Sequence, residues 1–490
     1  MAYLATHLPL AAKLMSNSQQ QSWAIVGGGM LGMTLAYRLA QAGEQVTLIE
    51  AAPELGGLAS AWQMGDITWD RHYHVTLLSD LRLRSLLTDL DLDPDMQWVR
   101  TKTGVYANGQ LYSVSNAVEF LKFPALKMID KLRLAATILY ASRIKNWQRL
   151  ENISVSKWLK RWSGKRTFAT FWKPLLRAKL GDNYKIASAA FIWATIARLY
   201  AARRTGLKEE LFGYLPGGYS RFLEHFAKRL ADSGVDIVLN ARVKEVAKEG
   251  TPKGIPEGTS EAGKDHQAAG RNQQIQVTYL AEQASDDRAH VVTKRFDQVV
   301  VTAAAPIAAQ LCEGLSTDEY QRLSQIAYQG IVCASLVLKQ PISSYYVTNI
   351  TDEGAPFTGI IEMSALVDPK EFGGRSLIYL PKYLPSDDPD LTLSDAELRS
   401  QFIAALERMY PHFSKEDVLD FKVSRVRYVM ALSTLGYSKQ LPPMHTSVPG
   451  IHIVNSAHIV NGTLNVNETV QLAENAATAL LDYELLDQQS

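Results

Sequence analysis

The sequence contains very little cysteine and no long uninterrupted apolar run. Its 490 residues include only Cys312 and Cys333, which are too few for a disulfide framework or a cysteine-based zinc site. We therefore expect a reducing, cytoplasmic environment and no metal site, so that redox chemistry would need a borrowed cofactor. Charged residues interrupt every apolar stretch before the roughly 18 residues that a membrane-spanning helix requires, which argues against an integral membrane protein.

Composition and length favour a folded protein of two or three domains. Apolar residues make up 47% of the chain and charged residues 21%, which is typical of a globular protein, and the length exceeds that of one hydrophobic core. Residues 1–21 lack a basic start and a convincing cleavage site, so a signal peptide is not expected. We interpret this segment as a flexible leader.

Positive charge is concentrated in one region, although the whole chain has 51 basic and 50 acidic residues. Residues 120–210 contain 20 lysines and arginines but only 5 acidic residues. A field of one sign implies an anionic partner. An anionic small-molecule substrate and an anionic membrane surface, with peripheral attachment there, both remain open. Nucleic acid is not expected, because no recognition motif accompanies the charge.

A βαβ unit is predicted near the start of the chain. Residues 23–26 form an apolar run, the motif GGGMLG occupies 27–32, and a helical pattern continues to residue 42. A second apolar run over 45–49 ends at Glu50. The order strand, glycine turn, helix and strand is typical of a dinucleotide-binding fold.

The glycines of this motif have different predicted roles. Gly27 permits the tight turn, Gly29 lets the backbone approach a pyrophosphate, and Gly32 lets the helix pack closely on the strand. The first helical turn would then present unpaired N–H groups to the phosphates. Glu50 is placed to accept hydrogen bonds from the adenosine ribose, which disfavours NADP.

A second glycine pair stands in the segment ELGGLAS at residues 54–60, directly after the acidic strand end. With this pair the sequence resembles the flavin-containing amine oxidoreductase superfamily, which includes protoporphyrinogen oxidases, carotenoid desaturases and monoamine oxidases, with UDP-galactopyranose mutases as relatives. The resemblance implies FAD rather than NAD. It also implies an α/β fold, in which a discontinuous Rossmann-like FAD-binding domain carries an inserted mixed α+β substrate domain.

Later segments resemble the remaining pieces of that FAD-binding domain. Residues 235–243 look like the strand pair whose valine backbone borders the adenine, and residues 296–306 look like the strand returning toward FAD. The segment 449–481 looks like the closing piece, whose helix start faces the flavin in the family. One departure is Asn455-Ser456, where many relatives have Gly-Asp or Gly-Glu, so that an acidic hydrogen bond to the cofactor is missing.

The helix start of the closing segment has two candidate caps. Asn465 and Glu468 have the spacing of a capping box, but Asn467 could also cap the helix. Neither cysteine lies in this segment, where some relatives tether FAD covalently, so we expect non-covalent binding. On the resemblance, the residues expected to contact FAD are Gly27, Gly29, Met30, Leu31, Gly32, Glu50, Ala51, Gly57, Leu58, Ala59, Val243, Asn455, Ser456, Asn467 and Val470.

The same resemblance divides the chain into alternating pieces. The FAD-binding domain is expected over 22–115, 212–320 and 445–490, and the substrate domain over 116–211, which is helical and basic, and 321–444. Within the second FAD-binding piece, residues 249–274 are polar and rich in glycine. They are interpreted as a flexible insertion.

His74 is the candidate catalytic residue, because relatives often bring a histidine from this region against the isoalloxazine ring. It could act as a base or hydrogen-bond donor near N5, although a structural role is the alternative, and His72 is a weaker candidate. Further candidates, each with a plain structural alternative, are Arg177, Lys179, Lys339, Arg427, Tyr428 and Tyr437.

The predicted activity is hydride transfer from an unidentified organic substrate, lipophilic or anionic, to flavin N5. Two alternatives remain. One is a non-redox enzyme of the UDP-galactopyranose mutase type, in which the basic region would bind a diphosphate. The other is a flavin-binding scaffold with little turnover.

Overall fold

The computed structural model describes residues 20–203, 211–250, 274–283, 286–352 and 354–487. The predicted leader at 1–21 and the predicted insertion at 249–274 lie, apart from their edges, outside the described residues. Within the described ranges, no helix is long and apolar enough to cross a bilayer.

A five-stranded parallel sheet forms the dinucleotide-binding fold, with spatial order β10, β2, β1, β14, β20. Trp23 and Ile25 face a layer of helices, whereas Ala24 and Val26 face a layer that includes a small antiparallel sheet. A sheet covered on both faces requires the apolar strand sequences seen here. Its strands are β1 (Ser22–Val26), β2 (Gln45–Ile49), β10 (Asp236–Val238), β14 (Gln298–Val301) and β20 (Ile451–Ile453).

This sheet confirms the predicted discontinuous α/β domain, because its strands come from widely separated parts of the chain. Helices cover one face, namely α1 (Met30–Gln41), α2 (Leu81–Asp89), α10 (Gly218–Asp232) and α15 (Val466–Asp487). The other face is covered by the antiparallel strands β11 (Ala241–Lys248), β12 (Ile275–Gln283) and β13 (Asp286–Phe296), and by α11 (Ala305–Leu311) and α12 (Thr317–Gln325).

A seven-stranded mixed sheet is the centre of the second domain, in the order β19, β15, β18, β17, β16, β7, β8. Every residue of β15 is buried, because alternate side chains enter two different cores. The strands are β7 (Thr103–Ala107), β8 (Gln110–Ser113), β15 (Tyr328–Leu338), β16 (Val347–Ile350), β17 (Gly359–Glu362), β18 (Ser376–Pro385) and β19 (Val418–Ala431). Strands β7 and β8, which precede the predicted boundary at residue 115, pair in this sheet and not in the parallel one.

Residues 117–203 form a helical layer, as the sequence predicts. Trp158 and Trp172 are buried in its core, and a π-helical turn at Phe168–Trp172 precedes α8. The helices are α3 (Ala117–Lys122), α4 (Met128–Ala141), α5 (Gln148–Glu151), α6 (Val155–Ser163), α7 (Lys165–Thr167), α8 (Lys173–Leu180) and α9 (Ala189–Arg203).

Smaller elements connect the two domains. They include a hairpin of β3 (Ala61–Met64) and β4 (Ile67–Asp70), and a small sheet of β5 (Thr76–Leu77), β6 (Gln97–Arg100) and β9 (Leu211–Tyr214). Helix α13 (Asp395–Met409) packs on the seven-stranded sheet, and α14 (Tyr437–Gln440) follows it along the chain.

Glu362 is a fully buried acid at the end of β17. The hydroxyls of Ser364 and Ser376 donate to its Oε1, and the N–H of Ile342 donates to its Oε2 at 3.1 Å. Burial nevertheless raises the pKa of Glu362 above its usual value. A raised pKa in the folded state means that stability is lost as pH rises through that pKa.

We therefore predict that Glu362→Gln changes the melting temperature more favourably at pH 8 than at pH 5. The amide has no charge to bury at either pH, but its NH2 group cannot accept a hydrogen bond, so one of the two acceptor atoms that face Ile342 N–H and the serine hydroxyls is lost. Thermal unfolding of both proteins at the two pH values measures the effect. A difference between the two proteins that is the same at both pH values, or less favourable at pH 8, contradicts this account of Glu362.

Candidate functional site

Three glycines of the turn between β1 and α1 differ in the space around them and in their backbone conformation. Gly27 has a φ of +109°, which side chains disfavour. A Cβ added to Gly32 would lie 1.9 Å from the carbonyl oxygen of Gly27, so helix and strand are in backbone contact there. A Cβ added to Gly29 would have no described atom nearer than the Cα of Gly57, at 3.9 Å. Only the space in front of Gly29 is therefore open to a ligand.

Glu50 links the two glycine motifs at the carboxyl end of the sheet. Its Oε2 accepts the N–H of Gly28 at 2.6 Å, and its Oε1 accepts the N–H of Ala52 at 2.8 Å, beside the exposed Ala51. The N–H of Gly56 donates to the carbonyl of Gly28 at 2.8 Å. The first turn, the acid and the second glycine pair thus form one unit where open α/β sheets bind ligands.

A cavity of about 510 Å³ begins at this unit and continues between the two large sheets. At the glycine end it is lined by Gly27, Gly29, Met30, Leu31, Gly56, Leu58 and Ala59, with Thr302, Ala303, Ala304, Ser456, Asn465, Val466 and Thr469 beside them. At the other end it is lined by Phe212, Ile331, Tyr346, Val347, Ile361 and Tyr383, and Tyr428 and Val429 of β19 line it as well. One continuous cavity therefore serves both domains.

Helix α15 points its first turn at this cavity. The side chain of Asn465 accepts the N–H of Glu468 at 3.1 Å and caps the helix. Asn467 does not cap it, because its Oδ1 instead accepts the N–H groups of Arg82 and Leu83 at the start of α2. The positive end of the α15 dipole, and not the Asn467 side chain, is what the cavity receives.

Several residues assigned to FAD by resemblance do not line the cavity. Val470 is fully buried in the helical core, and Thr469 on the adjacent helix position lines the cavity instead. Val243 points its side chain into the other core, so only its backbone remains available to an adenine. Asn455 is buried and accepts the N–H of Ala457 at 3.0 Å, whereas Ser456 does line the cavity. Gly32, Glu50 and Gly57 contact the glycine turn but are not among the residues that line the cavity.

His72 and His74 both line the cavity. His72 Nδ1 lies 3.2 Å from the carbonyl oxygen of Leu58, and its buried Nε2 has no hydrogen-bond partner among the described residues. Burial, followed by the neighbouring His74, lowers the pKa of His72 to about 4. His72 is therefore neutral near pH 7, and if Nδ1 donates to Leu58, Nε2 is a hydrogen-bond acceptor.

His74, the stronger candidate from the sequence, has its ring in contact with two side chains of the protein, Asp70 and Tyr219. Its Nδ1 lies 3.4 Å from Asp70 Oδ2, an ion-pair distance that does not meet hydrogen-bond geometry. Its ring lies against that of Tyr219, with centroids 4.4 Å apart. The structure therefore makes His72, as well as His74, a candidate for contact with a ligand.

A hydrogen-bonded chain of Lys179, Tyr383 and Tyr73 forms part of the wall. Lys179 Nζ donates to the hydroxyl of Tyr383 at 3.2 Å and lies 4.6 Å from the centre of that ring. The Tyr383 and Tyr73 hydroxyls are 2.9 Å apart, and burial raises the pKa of Tyr73. Among the described residues, no carboxylate forms an ion pair with Lys179. Its described contacts are with the neutral hydroxyl and ring of Tyr383, and its side chain is exposed.

The other candidates have varied positions. Tyr428 lines the cavity, and Arg177 lines a separate groove of about 820 Å³, which shares Tyr383 with the cavity. Lys339 is exposed just after β15, and Arg427 is exposed and donates to the carbonyl of Ser386. The buried Tyr437 donates to the carbonyl of Ala457 at 2.7 Å, so it has the structural role.

Sequence reasoning missed several residues of the wall. Tyr73 stands in the same WDRHYH segment as the two histidines, so its proximity could have been inferred. Tyr346 and Tyr383 are brought in by long-range strand pairing, for which the local sequence has no signal. Arg198 also lines the cavity, and its Nη2 forms an ion pair with Asp80 Oδ2 at 3.1 Å.

Among the described residues, no group of three or more potential metal ligands occurs.

A Rossmann-like sheet that shares one cavity with a second sheet is an arrangement in which enzymes bind nucleotide cofactors. The sequence pattern of the family described as flavin containing amine oxidoreductase matches residues 31–481, so the chain belongs to this family. It is a flavin-dependent oxidoreductase.

Individual relatives are distant. Coproporphyrinogen III oxidase of Mycobacterium tuberculosis (strain ATCC 25618 / H37Rv) is 23% identical over 403 residues, which cover 77% of this chain and 80% of that protein. The structure of an oxidoreductase from Methanosarcina mazei has a TM-score of 0.68 at 16% identity, covering 93% of this chain and 99% of that one. The structure of reduced UDP-galactopyranose mutase has a TM-score of 0.67 at 14% identity, covering 95% of this chain and 96% of that one. At these identities the two structures share the fold with this chain.

Two glycine substitutions should separate folding from cofactor binding. Gly29→Ala should leave the melting temperature of the flavin-free protein nearly unchanged, because its Cβ has space, but should weaken flavin binding by about tenfold or more, some 1.4 kcal/mol. Gly32→Ala should lower stability itself by about 2 kcal/mol, because its Cβ overlaps the Gly27 carbonyl. Thermal melts and the flavin absorbance of the purified variants report the two effects. Full flavin retention by Gly29→Ala would show that nothing approaches the backbone there.

His72 should make the protein sensitive to acid. Its pKa is lower in the folded state than in the unfolded chain, so stability present above pH 6.5 is lost as pH falls toward 4, by about 3 kcal/mol when complete. In His72→Gln this part of the loss should disappear. His225→Gln, at an exposed position on α10, is the matched control. Parallel pH curves for wild type and His72→Gln would refute the assignment.

Proposed function

We propose that the protein binds FAD non-covalently and oxidises a lipophilic organic substrate that carries an anionic group. When bound, the flavin would supply the hydride acceptor, N5 of its ring. The observation that carries this proposal is the single cavity running from the Gly29 backbone to the aromatic wall of the seven-stranded sheet. A dinucleotide placed along it would have its ADP half at the glycine turn and its ring between the two domains.

The residues at the glycine end fit a flavin nucleotide. The first turn of α1 has no side-chain cap and no acidic residue, so its N–H groups are available to a pyrophosphate. Glu50 lies beside the turn as a ribose acceptor. Two buried polar atoms of cavity-lining residues, His72 Nε2 and Arg198 Nε, have no described hydrogen-bond partner, and polar atoms of a bound cofactor could supply one.

Non-covalent attachment is supported by the cysteines. Cys312 and Cys333 are both buried, and neither is among the residues that line the cavity. Burial raises the pKa of the Cys312 thiol to about 12, and burial raises that of Cys333 as well. A thiol of this kind is not a nucleophile at neutral pH.

The substrate class follows from the opposite end of the cavity. Ile331, Val347 and Ile361 present apolar surface there, which favours an apolar body and excludes water. Lys179, whose described partners are neutral, is the group that would bind an anionic substituent. The neutral Nε2 of His72 can accept a hydrogen bond or a proton from a substrate in the same cavity.

A sugar-nucleotide mutase is less well supported. Its diphosphate would need several cations, and among the described residues the cavity wall contains only Lys179 and Arg198. Arg198 is already paired with Asp80. We therefore favour net oxidation over a non-redox rearrangement.

Two measurements test the proposal in sequence. Acid precipitation should release the yellow colour into the supernatant, and the released flavin should be FAD. Anaerobic mixing with coproporphyrinogen III, named in the M. tuberculosis relative, and with other anionic lipophilic donors should bleach the flavin without added reductant. Turnover of a UDP-sugar by pre-reduced protein, with no net consumption of reductant, would favour the mutase. Colour that stays in the pellet would contradict non-covalent binding.

Lys179 gives a specific prediction for the substrate. Lys179→Met should raise the substrate dissociation constant by about tenfold to a hundredfold, because it removes one charge-assisted hydrogen bond of about 1.5–3 kcal/mol. Flavin content should not change. The matched control is Lys185→Met, an exposed lysine paired with Asp182 just after the same helix. Equal substrate binding by both variants would remove the anionic group from the proposal.

A further inference from the structure

We propose that helices α3 and α4 attach the protein to an anionic phospholipid bilayer. The surface concerned is an apolar stripe of large side chains, each between 41% and 59% exposed: Leu121, Met128, Ile129, Leu132, Leu139 and Tyr140. The spacing of its members along α4 places them on one face of that helix. A contiguous exposed apolar face of this kind indicates an interaction surface.

The opposite face of α4 is fixed against the protein, so the stripe cannot turn inward. Leu134, Thr137 and Ala141 are buried, and the Thr137 hydroxyl lies 2.9 Å from that of Ser163 on α6. Tyr140 stacks on Trp162, which is 40% exposed, with ring centroids 4.1 Å apart. Tyrosine and tryptophan at the edge of an apolar surface are typical of a membrane interface.

The charge around the stripe specifies an anionic partner. Between residues 117 and 181 the acidic residues are Glu119, Asp130 and Glu151. Asp130 and Glu151 are only 3% and 2% exposed, and the partly exposed Glu119 accepts hydrogen bonds from Ser113 and Ser115. The charges that this region exposes are therefore predominantly positive, and they include Lys122, Lys127, Arg133, Arg143, Lys145 and Arg161.

This combination favours a bilayer over a second copy of the chain. Two copies docked through the stripe would bring two positive surfaces together, with like charges facing each other. An anionic bilayer accepts the apolar side chains among its acyl chains and the lysines and arginines among its phosphates. This inference requires neither flavin nor substrate, so it stands apart from the proposed function.

Vesicle sedimentation tests the inference on the whole protein. Vesicles of phosphatidylcholine with phosphatidylglycerol should pellet the protein, and vesicles of phosphatidylcholine alone should pellet much less. High salt should weaken the binding, because the charge attraction is screened, but should not abolish it. Protein that stays in the supernatant with anionic vesicles at low salt overturns the proposal.

Two sets of variants locate the contact. Ile129→Glu with Leu132→Glu should reduce partitioning into anionic vesicles by about tenfold or more, because acids enter the stripe. Val291→Glu with Leu419→Glu, at positions 70% and 49% exposed on other strands, should bind as the wild type does. Lys122→Gln with Lys127→Gln leaves the stripe apolar, and should weaken binding and its salt dependence.

The remaining outcomes are also decisive. Unchanged binding by the Ile129 and Leu132 variant, with a normal melting curve, overturns the proposal. So does a dimeric wild type that this variant converts to a monomer in analytical ultracentrifugation, because the stripe would then be a subunit interface. If the variant does not fold, the Lys122 and Lys127 variant decides, since its changes are at exposed positions.

Discussion

The contact between Gly32 and the carbonyl oxygen of Gly27 is the constraint on which the site depends. A backbone approach this close leaves no space for a Cβ, and it brings the first turn of α1 to the end of β1. Glu50 then holds the turn by accepting the N–H of Gly28. The second glycine pair is attached to the same residue, because the N–H of Gly56 donates to the carbonyl of Gly28. Without this contact the N–H groups of α1 would not converge on one point.

The second constraint is the way the chain passes between two sheets. Strands from four parts of the sequence complete the parallel sheet. The chain leaves it for the second domain between β2 and β10 and again between β14 and β20, whereas β10 and β14 are joined through the small antiparallel sheet. The cavity between the sheets therefore combines a backbone-lined end with an aromatic end. This division suits a protein that holds a cofactor with main-chain groups and selects a substrate with side chains.

Local patterns predicted the βαβ unit correctly. The βαβ unit could be inferred because strand period, glycine spacing and the terminal acid all lie within 30 residues. The aromatic end could not be inferred, because the pairing of β15 with β18 brings Tyr383 to the cavity and Tyr346 directly precedes β16, which pairs with β17 and β7. The roles of Asn467 and Val470 on α15 were assigned by resemblance, and both depend on which face of the helix is turned toward the cavity. Asn467 caps a neighbouring helix, and Val470 is one position away from the face that lines the cavity. The assignment of Thr103–Ala107 to the second sheet likewise depends on a parallel pairing with Val347–Ile350.

The most direct test of the central claim is titration of the flavin-free protein with FAD, FMN and riboflavin. If the glycine turn and Glu50 bind the ADP half, FAD should bind at least about a hundredfold more tightly than FMN, a difference of about 2.7 kcal/mol. Equal affinity for FAD and FMN would contradict the account, because the turn at Gly29 would then make no contribution to binding.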